Sequence, residues 1–134
     1  MTKILVTGSR EWPPTVDALE VIFESLDDYL EDSWDLPEMI VGMSPEGGVN
    51  TFAYAYAVGC GYGVIPVPAE VSEGRTRPLP WQFAKRNQKM VDMAPDVVLA
   101  FFVVGAANKG TQMTVDMAEK AGIKVERHYW NGLE

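Results

Sequence analysis

Hydrophobic and polar residues alternate along the chain in blocks whose spacing predicts strands and helices in turn. Continuous apolar runs rich in β-branched residues are typical of strands that are buried on both faces of a sheet. They predict five strands, at residues 3–7, 39–41, 63–68, 97–103 and 123–129. Between these runs, apolar residues recur at helical spacing and predict helices near residues 16–30, 49–58, 81–93 and 111–121.

The alternation of strands and helices predicts an α/β protein with a mainly parallel sheet of about five strands. Right-handed crossovers would place helices on both faces of that sheet, giving a three-layer sandwich. Pro66 and Pro68 favour an edge position for the third strand, because proline has no amide hydrogen to donate within a sheet. With 134 residues and no repeat or break in composition, the chain is expected to form one domain over residues 1–134.

The composition is ordinary for a globular protein, with 47% hydrophobic and 22% charged residues. The start of the chain lacks a signal-peptide pattern, and no apolar run reaches the roughly 18 residues of a membrane span. We therefore expect a cytoplasmic protein with no membrane partner. Cys60 is the only cysteine and His128 the only histidine, which argues against an intrachain disulfide, a zinc site and a Ser-His-Asp triad. Neither a metal nor an organic cofactor is predicted.

Charge is distributed unevenly around a net value of −8. Residues 1–46 hold eleven acids, a pattern typical of a solvated helix face, whereas residues 74–91 hold five cations and no acid. The overall negative charge disfavours general binding of duplex DNA, because it repels a polyanion. The local cluster of cations is still able to capture one or two phosphates.

Three glycine-containing loops are expected to meet at one edge of the sheet, at residues 8–10, 42–50 and 105–111. In such folds ligands bind beyond the carboxyl ends of the strands, where the strand order reverses. The last loop leads into a helix start, whose unpaired N–H groups favour an anion. The predicted ligand-binding residues are Gly8, Ser9, Arg10, Gly42, Gly48, Asn50, Arg86, Asn87, Lys109, Gly110 and Thr111.

Side-chain chemistry suggests roles for some of these residues. Arg10 can reach a phosphate from the first loop. Arg86 and Asn87 are expected to contact the ligand because they lie just before a buried strand. Thr111 is expected both to cap its helix and to donate to a phosphate. Glu46 is the only acid inside a predicted ligand loop, which makes it the candidate for general acid or base catalysis.

Aromatic residues suggest both base stacking and self-association. Trp81 and Phe83 can stack on a nucleobase, although packing in the core or at an interface explains them better. Together with Tyr54 and Tyr56 they offer apolar surface for a homo-oligomer, and we expect a dimer.

Four segments of the chain resemble the YspA/YpsA-like branch of the SLOG superfamily. They are residues 4–10, the Gly42-Met43 loop with Gly48-Val49-Asn50, residues 86–92, and Gly110-Thr111 followed by residues 118–123. The superfamily also takes in LOG-type phosphoribohydrolases and DprA-like proteins, and the resemblance spans essentially the whole chain in the same order. It implies a single-domain Rossmann-like fold and a nucleotide-derived ligand.

The chain departs from the LOG enzymes at the positions that matter for hydrolysis. Their P-G-G-x-G-T-x-x-E signature holds phosphate on the glycine-rich turn and uses the Glu for N-glycosidic cleavage. Here Gly110-Thr111 matches, residues 106–109 replace the upstream glycines, and Thr114 stands at the Glu position. Relatives often have G-A-D or G-V-D in the second loop, where this chain has Asn50 in place of the Asp. An asparagine can hydrogen-bond a ribose or a nucleobase, but it cannot act as a general base.

These features favour binding, or sensing, of a nucleotide or nucleoside-phosphate derivative over catalysis. The phosphate is expected on the N–H groups around Gly110 and Thr111, and ribose and base toward Gly8, Ser9 and Asn50. One alternative is a LOG-type nucleoside monophosphate phosphoribohydrolase that uses Glu46. Another is an acidic protein-interaction module with a vestigial pocket.

Overall fold

The structure of the protein is a computed structural model that describes residues 2–29, 36–43 and 47–131. Within those ranges strands and helices alternate strictly, and each predicted element overlaps an observed one. In chain order they are β1 (Lys3–Gly8), α1 (Val16–Asp27), β2 (Glu38–Met43), α2 (Val49–Gly59), β3 (Gly63–Pro68), α3 (Pro80–Asp92), β4 (Val97–Val103), α4 (Lys109–Lys120) and β5 (Lys124–Trp130).

The five strands form one parallel sheet in the order β3-β2-β1-β4-β5. The chain builds outward from β1 to β3, then crosses to the other side of β1 and continues through β4 to β5. The order therefore reverses between β1 and β4, which is the arrangement of a Rossmann-like fold. The predicted α/β class is confirmed, and so is the edge position of the proline-containing β3.

Side chains of each strand alternate between two helical layers. Ile4 and Val6 of β1 pack in a core cluster with residues of α1 and α2, such as Ile22. Leu5, between them, points to the opposite face and packs in a cluster with Met90 of α3 and Ala118 of α4. The continuous apolar runs of the sequence follow from this arrangement, because both faces of the sheet are covered.

The start of α4 differs from the prediction. The helix begins at Lys109, two residues before the predicted start, and its N-cap is Asn108 in the left-handed conformation with φ 51° and ψ 29°. Thr111 lies in the first turn, so its predicted role as the helix cap is wrong. Asn108 instead binds the preceding loop, because its side-chain amide donates to the carbonyls of Val103 and Ala106 at 2.8 and 2.9 Å.

Trp12 fixes the loop that follows β1. Its side chain is only 2% exposed, and its indole N–H donates to the carbonyl of Ala18 at 2.8 Å. The ring meets Phe101 of β4 edge to face, with 5.6 Å between ring centroids. The backbone N–H of Ser9 also donates to the carbonyl of Phe101 at 3.0 Å. The loop is therefore held against β4, on the other side of the strand reversal.

Tyrosine hydroxyls link α1 and the residues just after it to neighbouring elements. Tyr29 donates to Glu126 of β5 and Tyr56 to Asp27 of α1, each at 2.6 Å. The hydroxyl of the buried Tyr62 donates to the carbonyl of Leu26 at 3.0 Å. Burial raises the pKa of Tyr62 to about 12, and the hydrogen bond to Asp27 is the leading cause that raises the pKa of Tyr56.

These tyrosines predict a loss of stability at alkaline pH. A phenol whose pKa is raised by folding keeps its proton in the folded state, while the unfolded chain releases it near pH 10. The stabilisation is therefore fully present below about pH 10 and is lost as the pH rises toward 12. Denaturant unfolding at pH 8, 10 and 11 measures this decline.

The Tyr62→Phe variant provides the comparison. It should lose about 1 kcal/mol at pH 8, since the Leu26 carbonyl loses one of its two hydrogen bonds, and should then decline less steeply between pH 10 and 11. Tyr129→Phe is the matched control, because Tyr129 is 62% exposed and its hydroxyl makes no hydrogen bond within the described residues. Equal pH dependence in the wild type and Tyr62→Phe would contradict this explanation.

Candidate functional site

A cavity of about 490 Å³ opens at the carboxyl edge of the sheet, beside the reversal between β1 and β4. Nine of the eleven predicted ligand-binding residues line it. They are Gly8, Ser9, Arg10, Asn50, Arg86, Asn87, Lys109, Gly110 and Thr111. The predicted convergence of the three loops and of Arg86 is thus observed for the described residues, while ligand binding by these residues stays a prediction.

The first turn of α4 forms one wall of the cavity. The first backbone hydrogen bond of α4 runs from the N–H of Gln112 to the carbonyl of Asn108, at 2.9 Å. The preceding amides, of residues 109–111, have no backbone acceptor in the part of the chain that the structure describes. A side chain at Gly110 would meet no atom within 4 Å, so this turn is open. Unpaired N–H groups and the helix dipole together give the wall a partial positive charge.

The guanidinium of Arg86 reaches the cavity from α3. Its Nη1 donates to the carbonyls of Met43 and Val67, at the ends of β2 and β3, over 3.3 and 3.4 Å. Its Nε donates to the side-chain oxygen of Asn87 at 2.8 Å. No carboxylate among the described residues forms an ion pair with it. Arg86 is thus a half-buried cation bound mainly to neutral acceptors.

A second cation lies near Arg86, and both contact the same aromatic ring. The guanidinium carbons of Arg10 and Arg86 lie 5.4 and 5.5 Å from the centroid of the Phe83 ring, within the range of cation–π contacts. Burial is the main cause that lowers the pKa of Arg86, and the positive charge of Arg10 lowers it further. An anion between these groups would counter both effects.

Two asparagines complete the polar part of the wall. Asn87 is 4% exposed, and its amide nitrogen has only the sulfur of Met113 as a partner, at 3.8 Å. The amide nitrogen of Asn50 donates to the carbonyl of Gly42 at 2.9 Å. The side-chain oxygen of Asn50 is buried and has no hydrogen-bond partner.

Three predicted glycines make room for protein atoms rather than for a ligand. An added Cβ at Gly42 would lie 2.6 Å from the guanidinium of Arg86, and one at Gly48 would lie 2.4 Å from the Cα of Arg10. Neither residue lines the cavity. Gly8 does line it, but an added Cβ there would meet the side chain of Val49 at 2.6 Å. The lack of a side chain at Gly42 and Gly48 thus serves packing, and contact of these two residues with a ligand stays a prediction.

Sequence reasoning also missed residues of the wall. Glu11 lines the cavity and is an acid that follows Arg10 directly, a position that could have drawn attention to it. Phe83, Met90 and Met113 supply apolar surface. Phe83 is the residue for which base stacking was one of two predicted roles. These residues fit the helical spacing of α3 and α4, but that spacing does not show which side chains face a cavity.

The remaining predicted residues either lie away from the cavity or fall outside the part of the chain that the structure describes. Glu46, the predicted acid or base, lies outside the described residues. Thr114 is fully buried, and its hydroxyl donates to the carbonyl of Gly110 at 3.1 Å. Cys60 is exposed at the end of α2. His128 stacks on Phe101 with 5.0 Å between ring centroids, and neither residue lines the cavity.

The predicted dimer stays a prediction. Of its four proposed contact residues, Trp81 is 57% exposed and available to a partner. Tyr56 instead stacks on Phe23 at 4.2 Å, and Phe83 lines the cavity.

None of the described helices is both long and apolar enough to cross a membrane. Nor do the described residues contain a cluster of three Cys, His, Asp or Glu side chains that could hold a metal ion.

The chain matches no protein-family model, and no curated protein or solved structure is significantly similar to it. The functional argument therefore depends on the geometry of the cavity.

The packing role of Gly48 gives a stability prediction with a matched control. Gly48 has φ 82° and ψ −159°, a region that is essentially restricted to glycine, and it touches the backbone of Arg10. Gly47 also has a positive φ, of 80°, but an added Cβ there would meet nothing within 4 Å. Gly47→Ala should cost about 1–2 kcal/mol from backbone strain alone. Gly48→Ala should cost at least about 3 kcal/mol, because overpacking adds to strain. Denaturant unfolding of both variants measures the difference, and equal losses would contradict the packing role.

Proposed function

We propose that the protein binds a nucleotide or nucleoside-phosphate derivative in this cavity. The observation that carries the proposal is the convergence of the α4 start with Arg86, a half-buried cation without a carboxylate partner among the described residues. Both features favour an anion. They face one cavity at the point where the strand order reverses, which is where folds of this class bind ligands.

The phosphate fits best against the first turn of α4. Backbone amides of Gly110 and Thr111 supply directed donors there, and Lys109 adds a nearby positive charge. Arg10 and Arg86 extend the positive region around Phe83. A phosphate would reduce the repulsion between the two guanidinium groups, which is a gain that a neutral ligand does not provide.

The size and surface of the cavity favour an organic ligand over a bare phosphate ion. A volume of about 490 Å³ lies within the range of roughly 300–1,000 Å³ that is typical of small-molecule sites. Phe83, Met90 and Met113 provide apolar wall that an inorganic ion would not use. A sugar and a base attached to the phosphate would cover this surface, and the ring of Phe83 is the aromatic group available for stacking.

Membership of the YspA/YpsA-like branch of the SLOG superfamily is part of the same proposal. The segments that carry the resemblance include residues 8–10, Asn50, residues 86–87 and 110–111, all of which line the cavity. The fold and the placement of these segments support it. A signalling or sensing role would follow from binding without turnover.

The binding proposal predicts that AMP binds more tightly than adenosine, because the α4 start and the cations favour an anion. Arg86→Gln should weaken AMP binding on the order of 10- to 100-fold, as expected for loss of a charge-assisted contact. Calorimetry with AMP, other nucleoside monophosphates and the matching nucleosides measures both effects.

Two further variants make this test specific. Lys89→Gln removes the same charge from an exposed position of α3 outside the cavity, and should leave affinity nearly unchanged. Since Arg86 also bonds to Met43 and Val67, its variant needs a check of thermal stability. Lys109 is exposed, so Lys109→Gln removes a positive charge beside the proposed phosphate position without disturbing the hydrogen bonds of Arg86. Equal affinity for AMP and adenosine, or no binding across the panel, would overturn the proposal.

The proposal includes little or no hydrolysis of nucleoside monophosphates to base and ribose phosphate. Thr114 replaces the Glu of the LOG signature and is buried with its hydroxyl already bonded to Gly110, so it offers no acid or base to a ligand. Loss of a positioned acid or base typically lowers the rate by about 10²- to 10⁴-fold. Incubation with a panel of nucleoside monophosphates, followed by assay of released base, measures the residual rate. Turnover abolished by Glu46→Gln or by Glu11→Gln would contradict this prediction and identify the acid.

A further inference from the structure

The unpartnered oxygen of Asn50 is the polar atom of the cavity wall that most needs a partner. It is the one buried side-chain nitrogen or oxygen within the described residues that makes no hydrogen bond. A buried acceptor left without a donor costs roughly 1–3 kcal/mol, so such an atom calls for a partner that the protein itself does not supply. Asn50 lines the cavity and its oxygen lies beneath the wall surface, so a ligand would supply the partner after a small shift of the wall.

The orientation of the Asn50 amide is fixed by chemistry. Its nitrogen lies 2.9 Å from the carbonyl of Gly42, which can only accept a hydrogen bond. Rotating the amide by 180° would place two oxygen acceptors against each other. The group left for a ligand is therefore an acceptor.

Asn87 is oriented in the opposite sense. Its side-chain oxygen accepts from Nε of Arg86 at 2.8 Å, and an arginine nitrogen can only donate. The amide nitrogen of Asn87 is thus left facing Met113, whose thioether is a weak acceptor at 3.8 Å. The group that Asn87 offers to a ligand is a donor, on a side chain that is only 4% exposed.

Both amides are anchored around the end of β2. Asn50 bonds to the carbonyl of Gly42, and Arg86, which orients Asn87, bonds to the carbonyl of the next residue, Met43. Asn87 also contacts Met113, which lies just after Thr111 in the first turns of α4. The residues that carry this acceptor and this donor therefore both line the cavity into which the α4 start opens.

We propose that Asn50 and Asn87 recognise the vicinal hydroxyl groups of a ribose, so that the ligand is a ribonucleotide rather than a deoxyribonucleotide. The inference rests on the proposed nucleotide binding. A hydroxyl group both donates and accepts, and a cis-diol offers one hydroxyl to the oxygen of Asn50 and the other to the nitrogen of Asn87. The sugar is the part of a nucleotide bonded to the phosphate, so it lies within reach when the phosphate occupies the α4 start. The edge of a base also combines donors and acceptors, but it lies further from the phosphate.

The experiment compares ligands that differ in one group on the unmodified protein. Calorimetry measures binding of the four common ribonucleoside 5′-monophosphates and their 2′-deoxy forms. For adenine it adds 3′-deoxy-AMP and purine riboside 5′-monophosphate, which lacks the exocyclic amine. Loss of a ribose hydroxyl should weaken binding about 5- to 100-fold whichever base is present, since a buried polar group then loses its partner. Removal of the exocyclic amine should have little effect.

A variant assigns the discrimination to Asn50. In Asn50→Leu, one of the two deoxy forms (2′-deoxy or 3′-deoxy) should bind with nearly the affinity of AMP, because the hydroxyl it lacks no longer has an acceptor, while the other form should still bind more weakly through the loss of its contact with Asn87. Thr51→Val changes an exposed neighbour in the same helix turn and should preserve the wild-type ratio. Thermal unfolding checks that both variants fold, and the ligand comparison on the wild type remains decisive if Asn50→Leu does not.

The possible outcomes separate this inference from the proposed function. Nucleotide binding with equal affinity for ribo and deoxy forms would overturn the ribose assignment and leave nucleotide binding intact. A preference that follows the exocyclic amine instead would also overturn it and assign the asparagines to a base edge. Failure of all these compounds to bind would overturn both proposals.

Discussion

The guanidinium of Arg86 joins the parts of the site that come from different strands. It bonds to the carbonyls of Met43 and Val67, orients Asn87, and occupies space that any side chain at residue 42 would fill. Burial and Arg10 both lower its pKa, so the fold keeps this charge in an environment that disfavours it. Neutral carbonyls compensate only part of the lost hydration. A bound anion would complete the compensation, which links the structural role of this residue to a functional one.

The sheet order explains why these groups meet. Because the order reverses between β1 and β4, the connections that follow these strands diverge to opposite faces and leave a crevice at their carboxyl ends. Trp12 and the Ser9–Phe101 hydrogen bond hold the loop after β1 against β4. α3 and α4 pack against each other on one face, so Arg86 and the α4 start approach the crevice from the same side. The cavity is thus a consequence of topology, with its chemistry set by a few side chains.

The sequence predicts the elements well because the central strands β1, β2 and β4 are buried on both faces, which requires a continuous apolar run. The edge position of β3 was also predictable, since Pro66 and Pro68 cannot donate within a sheet. The role of the glycines was not. Whether a missing side chain leaves open space, as at Gly110, or makes room for Arg10, as at Gly48, depends on contacts between segments far apart in the chain. The start of α4 was misplaced for a local reason, because Asn108 adopts a left-handed conformation that is uncommon outside glycine.

The polarity of the cavity wall is asymmetric, and this asymmetry restricts the ligand further than net charge does. The amides of the α4 start, Arg10, Arg86, Lys109 and Asn87 are all donors, which suits a phosphate. The oxygen of Asn50 is an acceptor, and a fully ionised phosphate or polyphosphate has no hydrogen to give it. A simple anion would thus satisfy the donors and leave this oxygen unpaired at a cost of roughly 1–3 kcal/mol. A ligand that is anionic at one end and carries a hydroxyl or amino group nearby satisfies both parts of the wall. Sugar phosphates and nucleotides have that combination, whereas sulfate and other anions without a hydroxyl group lack it.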